Sequence, residues 1–221
     1  MKDNRAYTLL YATALGALCA TLVSLTRTLT EPARRMNAQA ERARQILEVL
    51  DVPVPLESSS SQLIAIAGRT ITAEKHGKTT LYRYSGEVGT EPDLGSAVAV
   101  PFSGTGLWGP IRGFLAIESD MKTIRGVTFH EQSETPGLGG EIAAACSCGG
   151  DLQTPCTAWF RHQFKGKRIT ETPDRPRIRI RRVRRPNAAQ DEVDGITGAT
   201  LTCRNVEAML SDAIDQLLEE R

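Results

Sequence analysis

The chain reads as an α+β protein: an N-terminal helix long and apolar enough to cross a membrane, then a domain built on a twisted antiparallel sheet with helices packed against it. Three observations lead there. Residues 6–26 carry no charged side chain, residues 63–183 set short apolar stretches between Gly, Pro and polar breaks, and residues 201–218 place Val206, Met209, Leu210, Ile214 and Leu217 at helical spacing. The 27 basic and 26 acidic side chains nearly cancel, so no global field calls for a nucleic-acid partner. A length of 221 residues gives room for one substantial domain with accessory segments, not for a long multidomain enzyme.

As a helix, residues 6–26 extend about 31 Å, the thickness of a bilayer's hydrocarbon core. A cleaved secretory signal competes with this reading, because Lys2 and Arg5 could form its charged start. The apolar stretch is long for such a signal and lacks a small-residue cleavage site at its end, which favours a retained anchor. Cys19 then becomes a small membrane-facing residue. Lys2 and Arg5 precede the span while Arg27, Arg34 and Arg35 follow it, and this local count would place the large domain in the cytoplasm. Residues 31–50, with Met36, Ala40, Ala43, Ile46, Leu47 and Leu50 between charges, read as an amphipathic helix leaving the membrane. It ends near Pro53-Val54-Pro55, and the polar run 57–62 reads as an exposed connector. The expected divisions are therefore anchor and flanks at 1–30, helix and linker at 31–62, and a soluble domain at 63–221.

Within that domain the apolar stretches 63–67, 81–84, 97–102, 111–117, 124–129 and 177–183 are expected to form the sheet. The last lies in the run RPRIRIRRVRR at 175–185, where Ile178, Ile180 and Val183 alternate with arginines. That pattern predicts a half-buried strand with a basic exposed face. No stacking aromatics stand among the arginines, which argues against nucleic-acid binding. A doubly wound nucleotide fold has no support either, since neither a GxGxxG turn nor a GxxxxGK[ST] loop is present.

Three loops carry the chemistry. In Asp194-Gly195-Ile196-Thr197-Gly198-Ala199-Thr200-Leu201-Thr202, glycines and hydroxyls stand just before the C-terminal helix. Successive N–H groups at a helix start can hold an anion such as phosphate, although an ordinary helix cap explains the local pattern as well. The loop Gly104-Thr105-Gly106-Leu107-Trp108-Gly109 can bring backbone and an aromatic ring against a planar ligand, or be a turn beside a core tryptophan. Glu134-Thr135-Pro136-Gly137-Leu138-Gly139-Gly140 combines proline rigidity with glycines, and alone it predicts only a turn.

Taken together, GTGLWGP, ETPGLG and DGITGATLT resemble the ordered signatures of the NqrC and RnfG flavin-carrying subunits of bacterial sodium-pumping NADH:quinone oxidoreductase and Rnf complexes. The resemblance runs from about residue 94 onward; ETPGLG and TGATLT are its specific parts. It implies that 63–221 is an FMN-binding domain and that Thr200 carries FMN through a phosphoester, with Thr202 as the second threonine of the motif. It places Thr197, Gly198, Ala199 and Leu201 beside that attachment. Asp194 and Gly198 would belong to the motif read by a flavin transferase. Leu107, Trp108, Glu134, Thr135, Pro136, Gly137 and Leu138 would border the isoalloxazine ring.

The resemblance also implies an electron carrier that works with other subunits of a membrane oxidoreductase complex. It implies a single pass through the lipid of the bacterial inner membrane, with the flavin domain periplasmic, against the local charge count. The segment Gly104-Thr105-Gly106-Leu107-Trp108 favours the NqrC-like subunit, whereas the chain length is nearer RnfG. A standalone flavin carrier and a membrane-tethered domain without redox function are the other readings.

Two features depart from the family pattern. His130 stands four positions before Glu134, where the resemblance sets one intervening residue, so no family role carries over to it; His76 and His162 have no ligand-like neighbours. Cys146, Cys148 and Cys156 lie in what reads as an insertion at 143–158, after which Trp159-Phe160 resumes the pattern. Their spacing matches neither paired CxxC zinc motifs nor a ferredoxin signature. A disulfide, free thiols, and a metal or iron–sulfur site completed by Cys203 or an external cysteine stay open.

Overall fold

Helix α1 (Arg5–Val49) runs 45 residues without interruption and carries Pro32 inside it. In this computed structural model, residues 5–55, 58–76, 79–84, 95–144, 159–172, 175–182 and 189–219 are described. The two helical segments expected at 6–26 and 31–50 are therefore one rod of about 68 Å. Pro32 forfeits a single backbone bond, a tolerable loss on a helix so long. An apolar window of α1 is wholly exposed and meets the length and composition of a membrane span. Its polar side chains are turned inward: Thr13, Thr21 and Thr26 donate to the carbonyls of Leu9, Ala17 and Leu22. Hydroxyls bonded in this way leave no unmet donor facing lipid. The C-terminal part of the same helix is core, with Ala40, Ile46, Leu47 and Val49 buried and Leu50 just beyond it. It stops at Asp51, whose φ of 60° takes the left-handed turn that ends many helices.

The expected strand at 63–67 is helical. Helix α2 (Ser60–Thr70) opens on a capping box between Ser59 and Gln62 and packs Leu63 against α1. A five-residue apolar run suits a strand or a buried helical face, and here the cap decides between them. The connector accordingly ends at Ser59.

Five strands follow: β1 (Ile71–His76), β2 (Thr79–Tyr84), β3 (Ala97–Thr105), β4 (Pro110–Glu118) and β5 (Ile124–Glu131). They form one antiparallel sheet in sequence order. Period-two alternation sends Val98, Val100, Phe102, Leu115 and Ile117 to one face, and Ala97, Ala99, Phe114 and Ala116 to the other. Helix α4 (Thr200–Glu219) covers the first face with Val206, Leu210 and Ile214, and the end of α1 with α2 covers the second. The short α3 (Trp159–His162) adds Phe160, packed edge-on to Phe164, to the α4 side.

The arginine-rich run departs from expectation. Among its described residues only β6 (Arg179–Arg181) is strand, and it pairs in parallel with β7 (Glu192–Asp194), outside the main sheet. The buried Glu192 binds both Arg179 and Arg181, so two arginines read as a solvent face are drawn into an ion-pair cluster. Their attachment at Glu192 holds the carboxyl below the usual glutamate range, with the Arg181 hydrogen bond as the chief cause.

Candidate functional site

The three glycine-containing loops meet at one carboxylate. Glu134 is only 5% exposed. Its Oε1 accepts the backbone N–H groups of Leu107 at 2.7 Å and Trp108 at 3.1 Å, and its Oε2 accepts the Thr202 hydroxyl at 2.6 Å. Three donors from two other segments compensate for removing the charge from water, and charge-assisted bonds are the strong kind. The glycines make room for this joint. A methyl group on Gly106 would collide with Oε1, and one on Gly139 would lie 2.7 Å from both Oε2 and Thr202 Oγ1. Glu134 and Thr202, expected beside a ligand, are bonded to each other.

What the joint presents outward is apolar. Leu107 and Trp108 follow Gly106, Leu138 precedes Gly139, and Leu201 precedes Thr202; all four side chains are exposed, Trp108 by 71%. A tryptophan this open is not the core residue its alternative reading required. The turn carrying Leu138 is fixed by the Thr135 carbonyl, which accepts the N–H groups of both Leu138 and Gly140. Gly137, at φ 76°, occupies a left-handed position that follows Pro136.

The phosphate-like loop is rigid at each step. Gln163 clamps Asp194 at backbone N–H and carbonyl, and Gly195 donates to the Arg181 carbonyl at 2.6 Å with no room for a side chain. Gly198 at φ 80° turns the chain into α4, against the Leu138 side chain. Ala199, buried in the core, precedes the helix and has no oxygen with which to cap it. The N–H of Cys203 to the Ala199 carbonyl starts the regular ladder, so the amides of Thr200, Leu201 and Thr202 lie ahead of it. Thr200 is half-buried and lines a cleft of about 160 Å³ with Thr197, Gly198, Arg181, Arg182, Arg204 and Glu207.

A helix start with no side-chain cap among the described residues, two hydroxyls and the guanidinium groups of Arg182 and Arg204 suit a phosphate, while Arg181 is held by Glu192 and the Glu207 carboxylate on the same wall accepts the Ile180 N–H. Arg182 and Arg204 were missed from the sequence. Arg182 hid in a run that reads as a solvated face, while Arg204 stands one turn after Thr200, a spacing that could have revealed it.

Cys203 is buried, accepts the Ile196 N–H at 3.4 Å, and has its thiol pushed up by burial. It thereby supports the loop. Cys146, Cys148 and Cys156 lie outside the described residues, and among those described no group of three metal-binding side chains occurs. His130 stacks on Phe114, on the α1 side of the sheet and apart from the Glu134 joint.

Fold and loops define an FMN-binding-domain protein: the family of that description matches residues 106–215, a span that holds the second and third loops whole and the first from Gly106 onward. The C subunit of the Na(+)-translocating NADH-quinone reductase from Yersinia pestis is 41% identical over 110 residues, 50% of this chain and 36% of that protein. Its counterpart from Chlamydia trachomatis serovar D is 28% identical over 200 residues, 84% of this chain and 58% of that one. The crystal structure of the C subunit from Parabacteroides distasonis superposes with a TM-score of 0.65 at 26% identity, covering 85% of this chain and 94% of the solved one. The chain thus carries an FMN-binding domain and is homologous to the C subunits of these reductases. Its aligned part spans little more than a third of the first of these relatives.

Proposed function

We propose that this protein is an FMN-carrying electron-transfer subunit of a membrane ion-translocating NADH:quinone oxidoreductase, with the flavin joined to Thr200 through a phosphoester. The observation that carries the proposal is the position of Thr200: first residue of an α4 whose preceding position is Ala199, on the wall of the arginine-lined cleft. When bound, the flavin supplies the redox chemistry. The chain's residues retain and orient it. Arg182, Arg204 and the first amides of α4 neutralise the phosphate, and the hydroxyl of Thr200 provides the ester oxygen. Leu107, Trp108, Leu138 and Leu201 offer an apolar bed for the ring, held in register by Glu134. Thr135, Pro136 and Gly137 shape the turn beneath it.

The motif from Asp194 to Thr202 is the segment a flavin transferase reads during maturation. Helix α1 is the single membrane pass and keeps the domain beside the other subunits, on the periplasmic side of a bacterial inner membrane. Covalent attachment replaces a very tight dissociation constant with a bond, so the carrier is not lost between turnovers. NADH oxidation, quinone reduction and ion movement belong to the partners; this protein is a redox carrier and not the complete enzyme.

The deciding test compares wild type with Thr200→Ala, each made with a competent flavin transferase, by intact mass and in-gel flavin fluorescence. One FMN-sized adduct on wild type that disappears from a folded Thr200→Ala protein is the expected result. A folded wild type that stays unmodified would overturn the assignment.

A further inference from the structure

A wide cleft, lined by no residue of the flavin loops, lies between α1 and α2. It is an open space of about 990 Å³ where α1 emerges from its apolar stretch and meets the start of α2. Its α1 wall is a single stripe through Arg27, Glu31 and Arg35, spaced by one helical turn, and its α2 wall includes Ser61 and Ile64. Beside it, Ser60 donates to Asn37 at 3.3 Å and ties the start of α2 to α1. We infer that this cleft binds the headgroup of an anionic phospholipid.

Depth, direction and charge each support that occupant. If Thr26 marks the edge of the hydrocarbon, Arg27 stands about 1.5 Å above it, Glu31 about 7.5 Å and Arg35 about 13.5 Å. The headgroup layer is roughly 5–7 Å thick. Side chains on a helix lean toward its N-terminus, so on α1 they lean back toward the bilayer, and the Arg35 guanidinium reaches down toward that layer. Arg27 and the neighbouring Arg34 form no ion pair among the described residues. Arg35 is tied to Glu31 at 2.9 Å yet is largely exposed. The stripe thus keeps a net positive charge at phosphate height, beside apolar Met36 and Ile64 that suit the glycerol and upper acyl carbons.

This inference rests on α1 spanning the bilayer, a point decided separately by whether the chain stays with membranes through an alkaline carbonate wash. For a chain that does stay, the full-length protein in mild detergent is offered equal amounts of phosphatidylglycerol and phosphatidylcholine, and retained lipid is counted by native mass spectrometry. Wild type should retain phosphatidylglycerol preferentially, by roughly fivefold for each arginine engaged. The Arg27→Gln/Arg35→Gln double variant should lose that preference, whereas Arg44→Gln, farther along α1, should keep it. Equal retention of both lipids by wild type, or an unchanged preference in the double variant, would overturn the inference. So would displacement of phosphatidylglycerol by inorganic phosphate, which would assign the cleft to the free anion.

Discussion

The two faces of the central sheet are packed by different rules. Toward α4 the sheet offers bulky side chains, Val98, Val100, Phe102, Leu115 and Ile117, and the helix rides on a thick hydrophobic layer. Toward α1 it offers Ala97, Ala99 and Ala116 between the rings of Phe114 and Tyr84, with Gly126 so close that a methyl group there would lie 2.9 Å from the Val49 carbonyl oxygen. Small side chains let a helix backbone come near the sheet, and the helix admitted is the one that continues into the apolar span. The thick face carries the proposed flavin site on the start of α4. The thin face joins that domain to its anchor through a shared, buried helix end instead of a flexible tether.

Removing the joint on the α4 side should have the largest effect. Glu134→Ala strands two amides and a hydroxyl, and should cost roughly 3 kcal/mol or more in chemical denaturation of the detergent-solubilised chain. The same variant should take up less covalent flavin than wild type. A cost below about 1 kcal/mol would mean that water replaces the carboxylate and that the loops hold their register without it. Next is Leu210→Ala, fully buried beneath the thick layer, with an expected loss of about 2–5 kcal/mol.

On the thin face the damaging change is addition. Ala116→Leu should cost roughly 1–3 kcal/mol by pushing α1 from the sheet, and a neutral or stabilising result would show slack where the thin face requires contact. The smallest effect concerns His130. Loss of hydration against Phe114 holds its imidazole below the ordinary value of 6.5, with Arg42 and Arg112 adding to the effect and Glu131 and Glu41 opposing it. The unfolded chain therefore binds more protons just below that pH, so stability should fall as the pH drops through and below 6.5. Melting curves at about pH 5 and about pH 7.5 should show a slightly shallower pH dependence in His130→Phe than in wild type.

Much of this architecture is legible from residue order. The long strands β3, β4 and β5 coincide with apolar stretches, and the spacing of Val206, Leu210 and Ile214 predicts α4. The stretch at 63–67 misleads because five apolar residues fit either period, although Ser59 and Gln62 supplied the helix signal. Strand β1 was overlooked because Thr72, Glu74 and Lys75 leave it little apolar character. The arginine run misleads for another reason: its burial depends on Glu192, eleven residues beyond Arg181 and on another strand.

The candidate site divides along the same line. By itself the sequence determined the local pieces: glycines where the backbone turns left-handed or needs close approach, hydroxyls before α4, and an apolar span ahead of the domain. These follow from short-range sterics and periodicity, which a few neighbouring residues specify. Only the tertiary structure decided that Glu134 and Thr202, 68 residues apart, are bonded partners, and that Arg181, Arg182 and Arg204 share one cleft with Thr200. It also decided that the anchor and the sheet-packing helix are one rod through Pro32. Such choices depend on which distant groups the fold brings within hydrogen-bonding or packing distance, and no local pattern encodes that distance.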